Sequence, residues 1–105
     1  MPAPSRPHGA LVVLPFLDGP RTVVVVAGEA DGATALQLRE QLIGTLACGT
    51  RSLVVDLSEL AGCDPQGVHA LTTAVQVAEA RGVAVSLRGQ SPQVAQLLQT
   101  HAHRP

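Results

Sequence analysis

Continuous apolar runs alternate along this chain with stretches of helical periodicity, and Gly, Pro, Asp or Ser marks nearly every boundary between them. The first run, "ALVVLPFL", reads as a strand, but Pro15 removes a ladder donor and so places it at a sheet edge or a bulge. "DGP" then supplies a turn of the Asp-Gly kind that joins adjacent antiparallel strands. The partner, "TVVVVA", is an unbroken β-branched run of the kind buried on both faces. In the next segment Ala35, Leu38, Leu42 and Leu46 recur at helical spacing, with Arg39 and Gln41 turned to water. Thr34 with Gln37 matches a capping box at its start, and Gly49 is a natural stop. "SLVVDL" is a second buried strand, running into "SELAGC". After "DPQG", Val68, Leu71, Val75 and Ala78 form an apolar stripe with His69, Thr73, Gln76 and Ala80 opposite, ending at Arg81 and Gly82. "VAVSLR" is a third buried strand, and Ser91 with Pro92 opens a last helix that turns Val94, Leu97 and Leu98 inward.

The element order β-β-α-β-α-β-α predicts an α/β fold: a mixed sheet whose N-terminal hairpin is antiparallel and whose remaining strands are parallel, joined by right-handed crossovers. The loops "GEADGA", "SELAGCDPQG" and "GQS" follow strands and precede helices, so they fall along one edge of the sheet, where open α/β sheets bind ligands and partners. With 105 residues, 46% of them hydrophobic, one domain with one core is expected over residues 10–101. "MPAPSRPHG", residues 1–9, reads as a flexible arm, and residues 102–105 as a tail.

Composition narrows the function. Phe16 is the single aromatic residue, so the core is aliphatic, and no exposed aromatic or long apolar patch is expected that would drive assembly. A monomer or weak dimer follows. Net charge is −1, and the basic residues are all Arg, spread singly, which leaves no basic stripe or stacking platform for nucleic acid. No apolar run approaches the roughly 20 residues of a membrane span, and no signal peptide is visible, so the protein reads as soluble and cytoplasmic. Cys48 and Cys63 are expected as free thiols: a helix of about thirteen residues separates them by roughly 20 Å, whereas a disulfide needs Cα atoms within about 7 Å.

The stretch "AGCDPQGVH" concentrates the candidate chemistry. Asp64 suits an N-cap, worth about 1 kcal/mol, or a partner contact, and the two roles can coexist. Pro65 fits the first helical position, where its missing N–H has no intrahelical partner anyway. Gly67 allows close approach of the helix to a neighbouring loop. Glu29, Asp31, Asp56, Glu59 and Asp64 gather carboxylates near this edge, but no nucleophile has a base beside it and no phosphate-binding loop precedes a helix, so no enzyme is read. His101 and His103 lack a third ligand; neither a metal nor a cofactor is expected.

"VVVVAGEADGATALQLREQL", "RSLVVDLSELAGCDPQGVHAL" and "VAVSLRGQSPQVAQLL" resemble the STAS domains of anti-anti-sigma factors, the anti-sigma factor antagonists of bacteria, over about Leu11 to His101. In that family the helix start usually reads Asp-Ser-Ser/Thr-Gly, and the first Ser is phosphorylated by a partner that is both anti-sigma factor and kinase. The unphosphorylated form binds the partner and frees the sigma factor. Position by position, the resemblance sets Asp64 at the Asp, Pro65 at the phosphoacceptor, Gln66 at the following hydroxyl residue and Gly67 at the Gly. Glu29 and Asp31 match the acidic loop of the same surface, to which His69 on the first helical turn is added. The acceptor hydroxyl is therefore absent, and Ser58, Thr72 and Thr73 are the nearest that remain. The resemblance implies a regulatory, partner-switching domain that binds an anti-sigma factor of the serine-kinase type without phosphorylation at the usual position. It also leaves two alternatives: an accessory STAS subunit of a lipid or anion transport system, and a ligand-binding or scaffold module.

Overall fold

A computed structural model of the chain describes residues 10–46 and 49–102, with Thr100 to Ala102 given by backbone alone. The arm over residues 1–9, Cys48 and His103 lie outside the described residues. The elements are β1 (Leu11–Asp18), β2 (Arg21–Ala30), α1 (Ala35–Gly44), β3 (Ser52–Asp56), β4 (Leu60–Cys63), α2 (Pro65–Ala80), β5 (Ala84–Arg88) and α3 (Pro92–Ala102). β1 and β2 form an antiparallel hairpin in which Asp18 is level with Arg21, and the turn is Gly19-Pro20 with Gly19 at φ +61°. A first central residue with positive φ suits the right-handed twist of the flanking strands. β3 joins β2 in parallel and β5 joins β3 in parallel, so β1 is an edge strand, as Pro15 requires.

β4 is an element that the apolar pattern does not announce. "LAGC" has little β propensity, but β2 outruns β3, and the backbone groups of Gly28 to Ala30 need partners. Leu60, Gly62 and Cys63 supply them in parallel register against Gly28, Glu29 and Ala30, with an irregularity between Gly28 and Glu29.

The helices form one layer, α1 against α2 and α2 against α3, on one face of the sheet. Val13 and Pro15 of β1 share a recess with Glu40 and Gln41 of α1, and Leu87 of β5 shares one with Ala95 and Leu98 of α3. The core is thus one-sided: Val24, Val26, Leu53 and Val55 from the sheet meet Leu38, Leu42, Leu71, Ala74 and Ala78 from the helices. The strands expected to be buried on both faces alternate instead, Val24 and Val26 fully buried beside partly buried Val23 and Val25. β5 has no fully buried residue. The expected absence of an exposed aromatic is also corrected, since Leu14, Phe16 and Leu17 are 47%, 55% and 75% exposed on the edge strand. Strand composition cannot reveal which face the helices will leave open.

The helix termini divide in the same way. α2 ends in a Schellman motif, Val83 N–H to Ala78 O at 3.0 Å and Gly82 N–H to Glu79 O at 3.0 Å, with Gly82 at φ +81°. Its apolar stripe is broader than expected, with Ala70 and Ala74 buried and Val75 only partly so. In α3 the Val94 N–H donates to Ser91 Oγ at 3.2 Å, Val94 is buried, and the helix takes in His101. α1 departs from expectation at both ends. Thr34 has near-helical backbone angles and makes no cap; its hydroxyl donates to Glu29 O at 2.7 Å, while Asp31 Oδ1 accepts the Ala33 and Thr34 N–H groups. Gln37 reaches to Leu11 O and Gln41, so there is no capping box. The helix stops at Gly44 rather than near Gly49, because the Thr45 hydroxyl and N–H both turn back to Leu42 O.

Candidate functional site

The loops at the strand ends meet through short contacts. Asp64 is extended, with φ −101° and ψ 177°; its Oδ1 accepts the Gly67 N–H at 2.9 Å and its own N–H donates to Ala30 O at 3.0 Å. The N-cap therefore ties the start of α2 to the end of β2. Gly67 is buried against Ala30, where a Cβ would overlap the Ala30 carbonyl oxygen and stand 2.8 Å from the Ala30 Cβ. Only a residue without a side chain lets the helix come this close. Gln66 lies over Gly32, which joins the first turn of α2 to the loop before α1.

Glu29, Asp31, Asp64, Pro65, Gln66, Gly67 and His69 consequently gather at one edge, as their loops predict. Their environments differ. Pro65, Gln66 and His69 are exposed; Glu29, Asp31 and Asp64 are partly buried; Gly67 is buried. Asp31 uses Oδ1 to shape its own loop, and the Glu29 side chain passes over Gly62. Pro65 stands at the first helical position with neither a hydroxyl nor an N–H to offer.

Beside this edge, α1 and α2 enclose an open groove of about 560 Å³ lined by Leu36, Arg39, Pro65, Gln66 and His69. Sequence reasoning left Leu36 and Arg39 out of the site. Their spacing on the outward side of α1 was the available signal, and Leu36 is 58% exposed.

Two groups at this end of the sheet have displaced acidities. The Asp56 carboxyl lies below its ordinary value, chiefly because the Ser58 hydroxyl donates to Oδ1 at 2.6 Å, then through the Ser58 N–H at 2.9 Å; Arg88, 3.3 Å from Oδ2, adds to this while burial opposes it. Gly89, at φ +72°, packs against Ser58 and Asp56, so the loop before α3 joins the same edge. Burial pushes the Cys63 thiol up to about 11, with the Asp64 charge adding to it, which leaves a free but protonated and unreactive sulfur at neutral pH. Among the described residues no three His, Cys, Asp or Glu side chains cluster so as to hold a metal ion. Among the same residues no helix is long and apolar enough to cross a membrane.

This arrangement of elements is shared with solved structures. An anti-sigma factor antagonist from Mycobacterium paratuberculosis is similar at TM-score 0.69 and 24% identity, over 96% of this chain and 84% of that one. A variant of RsbS from Moorella thermoacetica is similar at TM-score 0.70 and 26% identity, over 88% and 79%. The murine anion transporter Slc26a9 is similar at TM-score 0.70 and 20% identity over 79% of this chain, which spans only 14% of the transporter. No curated protein matches. The family model described as "Mlab, STAS domain" matches residues 17–101, and with most of its length accounted for in this way the chain belongs to the STAS domain family.

Proposed function

We propose that this STAS domain is a regulatory protein-binding module of the anti-sigma factor antagonist kind, acting in the cytoplasm. It docks an anti-sigma factor of the serine-kinase type through Glu29, Asp31, Asp64, Pro65, Gln66, Gly67 and His69, and so releases a sigma factor to transcription. The observation that carries this reading is the start of α2: capped, fixed to the β2 end through Ala30, and presenting exposed Pro65 where the family's antagonists present a serine. A phosphate at that position would bring a charge of about −1.5 to −2 to the positive end of the helix. Pro65 removes that control and leaves the helix start intact, so the domain is either a constitutive antagonist or one controlled by its abundance or another signal.

Mixing the protein with the anti-sigma kinases of its genome and ATP tests this. Stable binding without phosphate transfer is the expected result, and no binding to any of them counts against it. Pro65→Ser separates the surface from the switch. Phosphorylation of the variant with loss of binding means that only the switch was lost; neither event means that the surface itself has diverged.

The likeness to an anion transporter supports a second reading, a STAS subunit of a lipid or anion transport system. Neighbouring genes discriminate: sigma or anti-sigma genes favour the first reading, transport ATPase genes the second.

A further inference from the structure

Among the described residues, none of the elements covers the sheet face opposite the helices. Leu14 and Phe16 alternate with Pro15 and Leu17 along β1, and by register they share the open face with Val23 and Val25 of β2 and Val54 of β3. Phe16, the only aromatic residue of the chain, is 55% exposed there. At the hairpin end of the same face stand Asp18 and Arg21, level with each other, exposed, and joined by no ion pair. Contiguous exposed apolar surface on a soluble domain marks an interaction site. We propose that a second copy of this chain covers it, sheet to sheet, about a two-fold axis that runs along the strands between β1 and β2.

The register selects this arrangement. Leu14 is level with Val25, Phe16 with Val23, and Asp18 with Arg21. A two-fold axis along the strands keeps every row level and lays β1 of one copy over β2 of the other, within the roughly 30° crossing of aligned sheets about 10 Å apart. Leu14 then meets Val25 of the second copy, Phe16 meets Val23, and Asp18 meets Arg21, each contact made twice by symmetry. Moving the axis onto β2 sets Leu14 against Asp56, which shares its row through Val25. Turning the axis across the strands carries Asp18 and Arg21 onto apolar rows. Only the first arrangement matches apolar to apolar and acid to base throughout.

A contact two strands wide falls short of the roughly 800 Å² per partner of a standard interface, so the association is weak. The helices and the start of α2 lie on the other face, and Glu29, the one docking residue on β2, stands at the end of the strand away from the hairpin turn, so the failure of either proposal leaves the other standing.

Sedimentation equilibrium and NMR diffusion of the full chain from about 10 µM to 1 mM should show a monomer passing to a dimer. Phe16→Ser and Asp18→Arg should each weaken the dimer by about tenfold or more, with circular dichroism unchanged because both residues are exposed. The decisive arm mixes Asp18→Arg protein with Arg21→Asp protein. Each alone opposes like charges across the axis, but the mixture opposes Arg to Asp at both positions and should form a heterodimer tighter than either homodimer. A monomer at every concentration, a dimer indifferent to Phe16→Ser, or a mixture no tighter than its components overturns the proposal.

Discussion

A single carboxylate shows how much one residue can hold at the strand-end edge. Asp56 ends β3, binds both the hydroxyl and the N–H of Ser58, and faces Arg88 at the end of β5. Its folded acidity is displaced downward, so its contribution to stability is complete above the ordinary carboxylate range and is lost as the pH falls through the lower folded value. Urea midpoints of the native protein should therefore drop below about pH 4, and Asp56→Asn should lie under the native curve at neutral pH and meet it in acid. Parallel curves across that range would mean that the Ser58 contacts do not distinguish the two charge states. None of this is visible in "DLSEL", where Asp56 reads as one of the edge carboxylates at the end of a strand and Ser58 as one of the remaining hydroxyls; Arg88, far along the chain, becomes relevant only once β5 is seen beside β3.

At the scale of elements, the strongest local rules were the ones that could be read. Asp64-Pro65 at the start of α2, Gly82 at its end and Ser91-Pro92 before α3 each combine a cap with a backbone constraint, and tertiary structure had no reason to override them. The entry to α1 shows the opposite case. A Thr and a Gln three residues apart match a capping box, but Thr34 is buried at 5% exposure and spends its hydroxyl on Glu29 O, while Asp31 holds the Ala33 and Thr34 amides of the turn that leads into the helix. β4 escaped notice for a related reason, since its pairing comes from the length of β2 and not from its own residues. The assignment of the α1 entry can be measured. Asp31→Ala should cost about 1 kcal/mol of unfolding free energy, as the loss of a cap does, and Gln37→Ala less than that, because its contact to Gln41 is exposed and its bond to Leu11 O is only part-buried. The reverse order would restore the capping box. Of the candidate site, the sequence placed the edge and its residues; the groove behind it needed the packing of α1 on α2, which set Leu36 and Arg39 beside His69.

At the scale of the whole molecule, the decisive fact is that all three helices share one face. Apolar runs such as "TVVVV" are equally consistent with one-sided and two-sided burial, and a protein with one aromatic residue gives no further hint of where its surface is open. Adjacent valines of β2 make the sidedness measurable. Val24 is fully buried against the helices, whereas Val23 stands in the row of Phe16 on the open face. Val24→Ala removes two methyl groups from a packed core and leaves a cavity, and should cost roughly 2–3 kcal/mol in urea denaturation at low micromolar protein. Val23→Ala should cost less than about 1 kcal/mol under the same conditions, since its neighbours on that face remain wet. Repeating the pair near 1 mM adds the sheet-to-sheet contact to the comparison. If the second copy covers this face, the cost of Val23→Ala grows with concentration and that of Val24→Ala does not, because only Val23 gains a neighbour from the other copy.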